Sequence, residues 1–337
     1  MLGSLCGQKL HGATDFEDQL VPATTVKAEA ADEDKKLIIE NLRLVVKNSQ
    51  IFRLPPDVAD EEIVPTADPE ILSRNINWVR TTLRQFVRDW SQEGAGEREQ
   101  TFTPLLESLK RHVPIKDPKK PPRVLCPGCG LGRLPYEVLQ LGYESQGNEI
   151  SSFMLIGSYF ATNCMNKMNF FKIYPYCLST SNRILHEDQM FACHIPDVAP
   201  AKQEVKGDFS MCTGEFTQVY GNLEDPFDAV LTCFFLDTAK NPISYIRTCA
   251  RALKRGALWA NIGPLLYHYA DFGHNSVELS WEELRRVISI WFKLVREEWR
   301  DANYTSNKRS MMKTQYKCIY FEAIRNELEV LGQSDPF

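Results

Sequence analysis

The sequence predicts an α/β protein built on a mostly parallel central sheet, and three observations carry that prediction. At Arg123 the pattern turns into a strand, a glycine turn, a helix and a second strand, a βαβ opening. Further on, Asp228-Ala-Val-Leu-Thr-Cys-Phe-Phe235 is a near-continuous apolar run, as expected of a strand buried on both faces. Helices and strands then keep alternating toward the C-terminal region.

Before Arg123 the chain reads differently. Residues 1–36 hold no sustained period and end in the charged, small-residue run Glu29-Ala-Ala-Asp-Glu-Asp-Lys-Lys36, so they read as a disordered tail. Leu37 to Lys47 can form one amphipathic helix, after which Pro55, Pro56, Pro65 and Pro69 impose an irregular acidic connection. Ile76, Val79, Leu83, Phe86, Val87 and Trp90 recur at helical spacing and predict a helix with one apolar face. A second helix is expected over Phe102 to His112, stopped by the proline-rich segment Pro114 to Pro122. Residues 37–122 thus read as a helical region, and 123–330 as the α/β domain.

Within that domain the elements follow in order. Val124 and Leu125 start a strand, Leu134 to Leu141 a helix, and Glu144 to Glu149 a second strand. A long apolar helix is expected near Ser151 to Met165, and a strand at Phe209 to Cys212. The helix Ile243 to Leu253 should be closed by Lys254-Arg-Gly256, a basic turn with a glycine cap, before a strand at Ala257 to Ile262. After a helix at Trp281 to Trp291, Lys293 to Arg300 and Tyr316 to Ala323 should pair antiparallel at the sheet's end.

Composition sets bounds on function. The chain has 337 residues, 43% hydrophobic and 25% charged, which are values of a folded globular protein. Lys plus Arg number 39 against 44 Asp plus Glu, a net charge of −5, so no general basic field exists to hold nucleic acid or anionic lipid. No long uncharged apolar window occurs, and Lys9, Asp15, Glu17 and Asp18 interrupt the N-terminal stretch, which argues against a spanning helix or a secretory signal. Ten unevenly spaced cysteines then read as reduced thiols of the cytoplasm or nucleus.

The chemistry concentrates at Val124-Leu-Cys-Pro-Gly128-Cys-Gly130-Leu-Gly132, with Glu149 at the end of the following strand. Glycines at a strand-to-helix turn let backbone approach a nucleotide cofactor, and a carboxylate after the second strand can accept ribose hydroxyl protons. A nicotinamide dinucleotide and S-adenosylmethionine both fit such a loop. The spacing G-x-G-x-G, instead of G-x-G-x-x-G, tilts toward S-adenosylmethionine. Cys126 and Cys129 have metal or redox spacing, but no second Cys or Cys/His pair accompanies them, so no metal is expected. His112, His186, His194 and His274 lack ligand spacing and read as surface or packing residues.

Gln85 and Arg88 share one helical face, and an arginine fork suits a carboxylate. Asp237 follows the buried strand at the edge where open α/β sheets place ligands, although Asp is also a common helix cap. His268 lies beyond the next strand, at the same edge.

Five blocks together carry a family resemblance: Pro127-Gly-Cys-Gly-Leu-Gly-Arg-Leu134, Gly142-Tyr-Glu-Ser-Gln-Gly-Asn-Glu149, Cys233-Phe-Phe-Leu-Asp-Thr-Ala239, Gly263-Pro-Leu-Leu-Tyr-His268 and Ser310-Met-Met-Lys313. With Gln85-Phe-Val-Arg88-Asp-Trp90, they resemble the carnosine N-methyltransferase family over about Gln85 to Arg325. The resemblance implies a Rossmann-like class I methyltransferase fold with antiparallel C-terminal strands and S-adenosylmethionine as cofactor. It implies that Gln85 and Arg88 reach the cofactor's methionine carboxylate, that Gly128 and Gly130 lie against it, and that Glu149 holds its ribose. Glu215, Phe216 and Cys233 become further cofactor walls, Glu215 being one methylene longer than the usual Asp.

The same resemblance implies a substrate histidine ring held by Asp237, His268, Tyr304 and Tyr316. Asp237 would be catalytic, fixing the imidazole tautomer and stabilising the positive charge that develops on the ring. The expected reaction converts carnosine, β-alanyl-histidine, into anserine and S-adenosylhomocysteine. Histidine in other peptides or proteins is the alternative acceptor, and a homodimer is left open.

Overall fold

The apolar stripe around Phe86 and Trp90 forms α1 (Pro69–Trp90), with Pro69 at its first position, where a missing N–H costs nothing. The sequence alone assigns Pro69 to the preceding connection; the structure makes it the first residue of the helix. This computed structural model describes residues 69–203, 207–270 and 276–330. The expected tail, the Leu37 to Lys47 helix and the acidic connection up to residue 68 lie outside the described residues.

In chain order there follow α2 (Ala95–His112), β1 (Arg123–Pro127), α3 (Arg133–Gln140), β2 (Glu144–Glu149) and α4 (Ser152–Tyr159). Next come β3 (Phe171–Ile173), β4 (Cys193–Ile195), β5 (Phe209–Thr213), α5 (Phe216–Tyr220) and β6 (Phe227–Cys233). The last are α6 (Pro242–Ala252), β7 (Leu253–Gly263), α7 (Trp281–Trp291), β8 (Phe292–Asn303) and β9 (Gln315–Arg325).

The main sheet has the order β5-β2-β1-β6-β7-β9-β8. Strands β5, β2, β1, β6 and β7 pair in parallel, while β9 runs antiparallel to both β7 and β8. This is the class I methyltransferase fold that the resemblance implies, including its antiparallel C-terminal pair.

Period-two alternation along the central strands divides the core. Leu125, Val230, Trp259 and Phe321 face a layer that includes Ile246 of α6 and Leu284 and Ile288 of α7. Val124, Ala229, Leu231, Leu258, Ala260 and Tyr320 face the other layer, where Phe102, Leu105 and Leu109 of α2 join Leu134 and Val138 of α3. A third cluster packs Phe86, Val87 and Trp90 of α1 against Leu131, Tyr136 and Met154. Helices α1 and α2 are therefore built into the same core as the sheet. Among the described residues no helix is long and apolar enough to cross a membrane.

Four local expectations differ from the structure. Helix α2 begins well before Phe102 and carries Pro104 in its interior. The helix expected to run through Met165 is α-helical only to Tyr159 and continues as one π-turn over Phe160–Cys164. Lys254-Arg-Gly256 does not cap a helix: α6 ends at Ala252, and the three residues lie in β7 where its register against β6 slips between Phe227 and Ala229. The β3–β4 ribbon lies in a stretch without an expected element, because three-residue strands show no readable period.

Candidate active site

The parallel strands end on one edge, and the loops leaving them enclose a cavity of about 740 Å³. Gly128, Gly130, Glu149, Glu215, Phe216, Cys233, His268 and Tyr304 line it, joined by Gln85 and Arg88 from α1. Ten residues singled out in the sequence thus meet at one place. Asp237 and Tyr316 are not among the lining residues: Asp237 sits in the loop between Phe235 and Thr238, which do line it, and Tyr316 packs against Phe234 and Tyr304.

The β1–α3 loop admits only glycine at its closest points. Gly128 has φ +60°, and a Cβ there would lie 2.3 Å from the Phe235 ring. At Gly130, with φ +56°, a Cβ would meet only Asp89 Oδ2, at 4.0 Å, so the loop presents bare backbone to the cavity. Glu149 holds the loop in shape: Oε2 accepts the Gly130 N–H (3.0 Å), and Oε1 accepts those of Ile150 and Ser151 (2.8 Å each). Three of roughly four lone-pair positions are thereby filled, leaving room for one further donor. Glu215 caps α5, its Oε2 accepting from the Gln218 N–H (2.9 Å) and the Thr217 hydroxyl (2.6 Å).

Gln85 and Arg88 share a face of α1, as their spacing requires. Gln85 donates to the Tyr304 hydroxyl at 2.6 Å. Arg88 donates to Asp89 Oδ1 at 2.9 Å and points a second nitrogen at Cys233 Sγ, 3.6 Å away. Its guanidinium also lies 5.4 Å from the Tyr304 ring centre and 5.7 Å from that of Phe234. Burial disfavours this cation, but Asp89, Cys233, Tyr304 and Glu97 outweigh it and hold the pKa above its usual value. Arg88 Nε is buried without a hydrogen-bond partner among the described residues.

Residues next to Arg88 form an ionic knot. Asp197 accepts from Arg133 Nη1 (2.6 Å) and Arg98 Nη2 (2.5 Å), and these arginines also donate to the carbonyls of Asp89, Arg88 and Ser91. Trp90 Nε1 donates to the Leu131 carbonyl (3.0 Å), joining α1 to the glycine loop. Glu97 accepts the N–H groups of Thr305 (2.8 Å) and Ser306 (2.6 Å), which fixes the turn after Tyr304.

Phe234 extends the wall beside Arg88. It takes φ +53°, a left-handed conformation unusual for a bulky side chain, and its ring stacks on Tyr304 at 4.8 Å. Tyr316 meets Phe234 and Tyr304 edge-on, at 5.9 and 6.2 Å between ring centres. Asp237 is 3% exposed; its Oδ2 accepts the Leu266 N–H (3.2 Å), while Oδ1 has no partner among the described residues. Burial pushes its carboxyl up to about 7, against the lowering effect of the backbone donors. The Asp237 carbonyl accepts the His268 N–H at 2.9 Å. The His268 side chain keeps contact with solvent, yet the surrounding protein desolvates the ring enough to lower its pKa.

Cys126 is buried in the core, and Cys129 lies against Met211, Sγ to Sδ 3.8 Å, with both thiols raised by burial. Among the described residues no group of three or more His, Cys, Asp and Glu could hold a metal ion. His112 Nε2 lies 2.8 Å from Glu322 Oε2, His186 and His194 are exposed, and His274 falls outside the described residues. Sequence reasoning missed Asp89, Phe234, Lys240, Tyr245 and Tyr269 as lining residues. Asp89 adjoins Arg88 and Phe234 leads to Asp237, but no periodicity marks either side chain as facing a cavity.

Comparison with known proteins gives a consistent assignment. Residues 66–327 match the family model for carnosine N-methyltransferase. The carnosine N-methyltransferase of Dictyostelium discoideum is 43% identical over 258 residues, covering 74% of this chain and 55% of the relative. That of Mus musculus is 42% identical over 248 residues, covering 72% and 62%. The chain thus spans 55% to 62% of the length of these curated relatives. Among solved structures, magnesium protoporphyrin IX methyltransferase from Synechocystis PCC 6803 with bound SAH is similar at a TM-score of 0.45. It is 15% identical, and the match covers 77% of this chain and all of that one.

Proposed function

Since the chain belongs to the carnosine N-methyltransferase family, we propose that its cavity brings S-adenosylmethionine and the imidazole of carnosine together for methyl transfer, giving anserine and S-adenosylhomocysteine. The observation that carries the reading is the buried Oδ1 of Asp237, without a partner among the described residues, in the loop after β6 whose neighbouring Phe235 and Thr238 line the cavity. A carboxylate so desolvated gains most from an N–H donor on a ring that is becoming cationic.

The residues fit the cofactor. Bare backbone at Gly128 and Gly130 admits the nucleoside, Glu149 keeps a lone pair for a ribose hydroxyl, and Arg88 supplies a full positive charge for the methionine carboxylate. When bound, S-adenosylmethionine supplies an electrophilic methyl group on sulfur. The enzyme's residues then have to deliver a neutral ring nitrogen in line with it, which is chiefly a matter of positioning.

Imidazole, with an ordinary pKa of about 6.5, is mostly neutral at pH 7 and needs no strong base. By accepting one ring N–H, Asp237 turns the other nitrogen's lone pair outward and favours the tautomer that reacts. As the ring gains charge, that hydrogen bond strengthens, which is differential stabilisation of the transition state. His268, Tyr304 and Tyr316 orient the ring, and Asp237 receives the released proton or passes it toward solvent through His268.

The test is incubation with S-adenosylmethionine and a panel of histidine dipeptides, free histidine and longer histidine peptides, read by mass analysis. A gain of one methyl on carnosine is expected. Methylation confined to the longer peptides would move the activity to peptide or protein histidine, and absence of transfer would overturn the reading.

The clamp has its own test. Gln85→Ala and Arg88→Ala are each expected to weaken S-adenosylhomocysteine binding about tenfold or more by titration calorimetry, the scale of a lost charge-assisted hydrogen bond. Gln85→Ala should also raise the KM for carnosine, because Gln85 holds the Tyr304 hydroxyl. An unchanged dissociation constant in both variants would exclude the clamp.

A further inference from the structure

We propose that Lys240 forms a carboxylate subsite at the cavity wall that recognises the C-terminal carboxylate of the substrate dipeptide, an assignment that rests on the carnosine reading above. The reaction brings two carboxylates into one cavity, one on the methionine of the cofactor and one on the peptide. Only two permanently charged cations line that cavity among the described residues, Arg88 and Lys240. The lining carboxylates of Asp89, Glu149 and Glu215 would repel an anion.

Arg88 is committed to the α1 side, held by Asp89 and packed over Tyr304 and Phe234. Lys240 belongs to the loop after β6, three residues beyond Asp237. It is exposed, its ammonium lies 5.1 Å from the Tyr269 ring centre, and no carboxylate of the described residues pairs with it. The backbone on both sides is pinned: Asp237 O accepts the His268 N–H and Lys240 O accepts the Val277 N–H, each at 2.9 Å.

Three residues of chain separate the two Cα atoms by at most about 10 Å. The imidazole and carboxylate of a histidine residue hang from one Cα, so their recognition groups must lie within a side chain's reach of each other. A flexible four-carbon stem ending in a point charge meets that requirement, and Tyr269 holds the ammonium near the rim. A substrate without the carboxylate would forfeit this contact and keep the contact to Asp237.

The experiment compares carnosine with β-alanylhistamine, which lacks only the carboxylate, on the wild-type chain and on Lys240→Gln and Lys240→Glu. The wild type is expected to favour carnosine about threefold to fivefold in kcat/KM, the scale of one charged contact at a wet rim. Lys240→Gln should erase that preference through the KM for carnosine, and Lys240→Glu should reverse it. Affinity for S-adenosylhomocysteine, measured in parallel, should not move, because Gln85 and Arg88, not Lys240, serve the cofactor carboxylate.

Equal wild-type use of both substrates, or a Lys240→Gln variant that loses equally on both, would overturn the subsite while leaving the carnosine reading intact. A wild-type chain that binds S-adenosylhomocysteine but methylates neither substrate would remove the carnosine reading and the subsite with it.

Discussion

Asp237→Asn is expected to lower the kcat for carnosine by about 10³-fold, within the range for loss of a positioned proton acceptor and charge stabiliser, while S-adenosylhomocysteine affinity stays within about twofold. Size and burial are kept; what is lost is the charge opposite the ring. The pH dependence separates this from a packing defect. Asp237 has its pKa pushed up to about 7 by burial, so the free enzyme must shed that proton before it can accept the ring N–H. Free carnosine must be neutral as well, with an imidazole pKa near 6.5. In the wild type log(kcat/KM) should therefore rise with a slope approaching two at low pH and level off above about pH 7.5. In Asp237→Asn the limiting slope should fall to one.

Stability should move the opposite way. A carboxyl raised from 3.8 to about 7 holds its proton in the folded chain over a range where the unfolded chain has released it. Its contribution to folding is therefore fully present below about pH 4 and is lost as pH rises through 7. Thermal melts should show Asp237→Asn gaining on the wild type at pH 8 and not at pH 4. A variant with full turnover, or an unchanged pH slope, would refute the assigned role.

Asp197→Ala should produce the largest loss of stability. The Asp197 carboxylate is nearly buried between Arg98 and Arg133, which are themselves almost fully covered. Removing it leaves two arginines without their shared anion, and breaking a buried pair in this way costs about 3–5 kcal/mol. For a chain of this size that corresponds to a melting point lower by about 10 °C. Asp197→Asn should retain part of the loss as acceptor geometry without charge. A shift under about 2 °C for Asp197→Ala would mean that the knot does not hold α1, α2 and α3 together.

How much of this was readable in the sequence follows from the range of the forces involved. Gly128, Gly130 and Glu149 were legible because a strand-to-helix turn and the following strand end are local features. Gln85 and Arg88 were legible as neighbours on one helical face, and Asp237 as the first carboxylate past a buried strand. The Gln85–Tyr304 hydrogen bond was not, since it spans 219 positions and depends on how α1 docks against the turn that follows β8. Asp197 carries no local sign of its two arginines. Gly256 misled for a related reason: glycine after basic residues suits a helix cap, but pairing of β7 with β6 drew those residues into the strand. The left-handed Phe234 is likewise fixed by tertiary contacts, as Gly263 lies close beneath its backbone and Tyr304 lies on its ring.

The insertion of α2 between solvent and the sheet has a practical corollary for engineering. A fragment starting at Pro122 would retain all nine strands of the described residues, yet it would bare the apolar surface that Phe102, Leu105 and Leu109 cover and forfeit the carboxylate that anchors the turn at Thr305. The strand-and-loop half is therefore no transplantable cassette. Any minimal version of this protein has to start no later than α1.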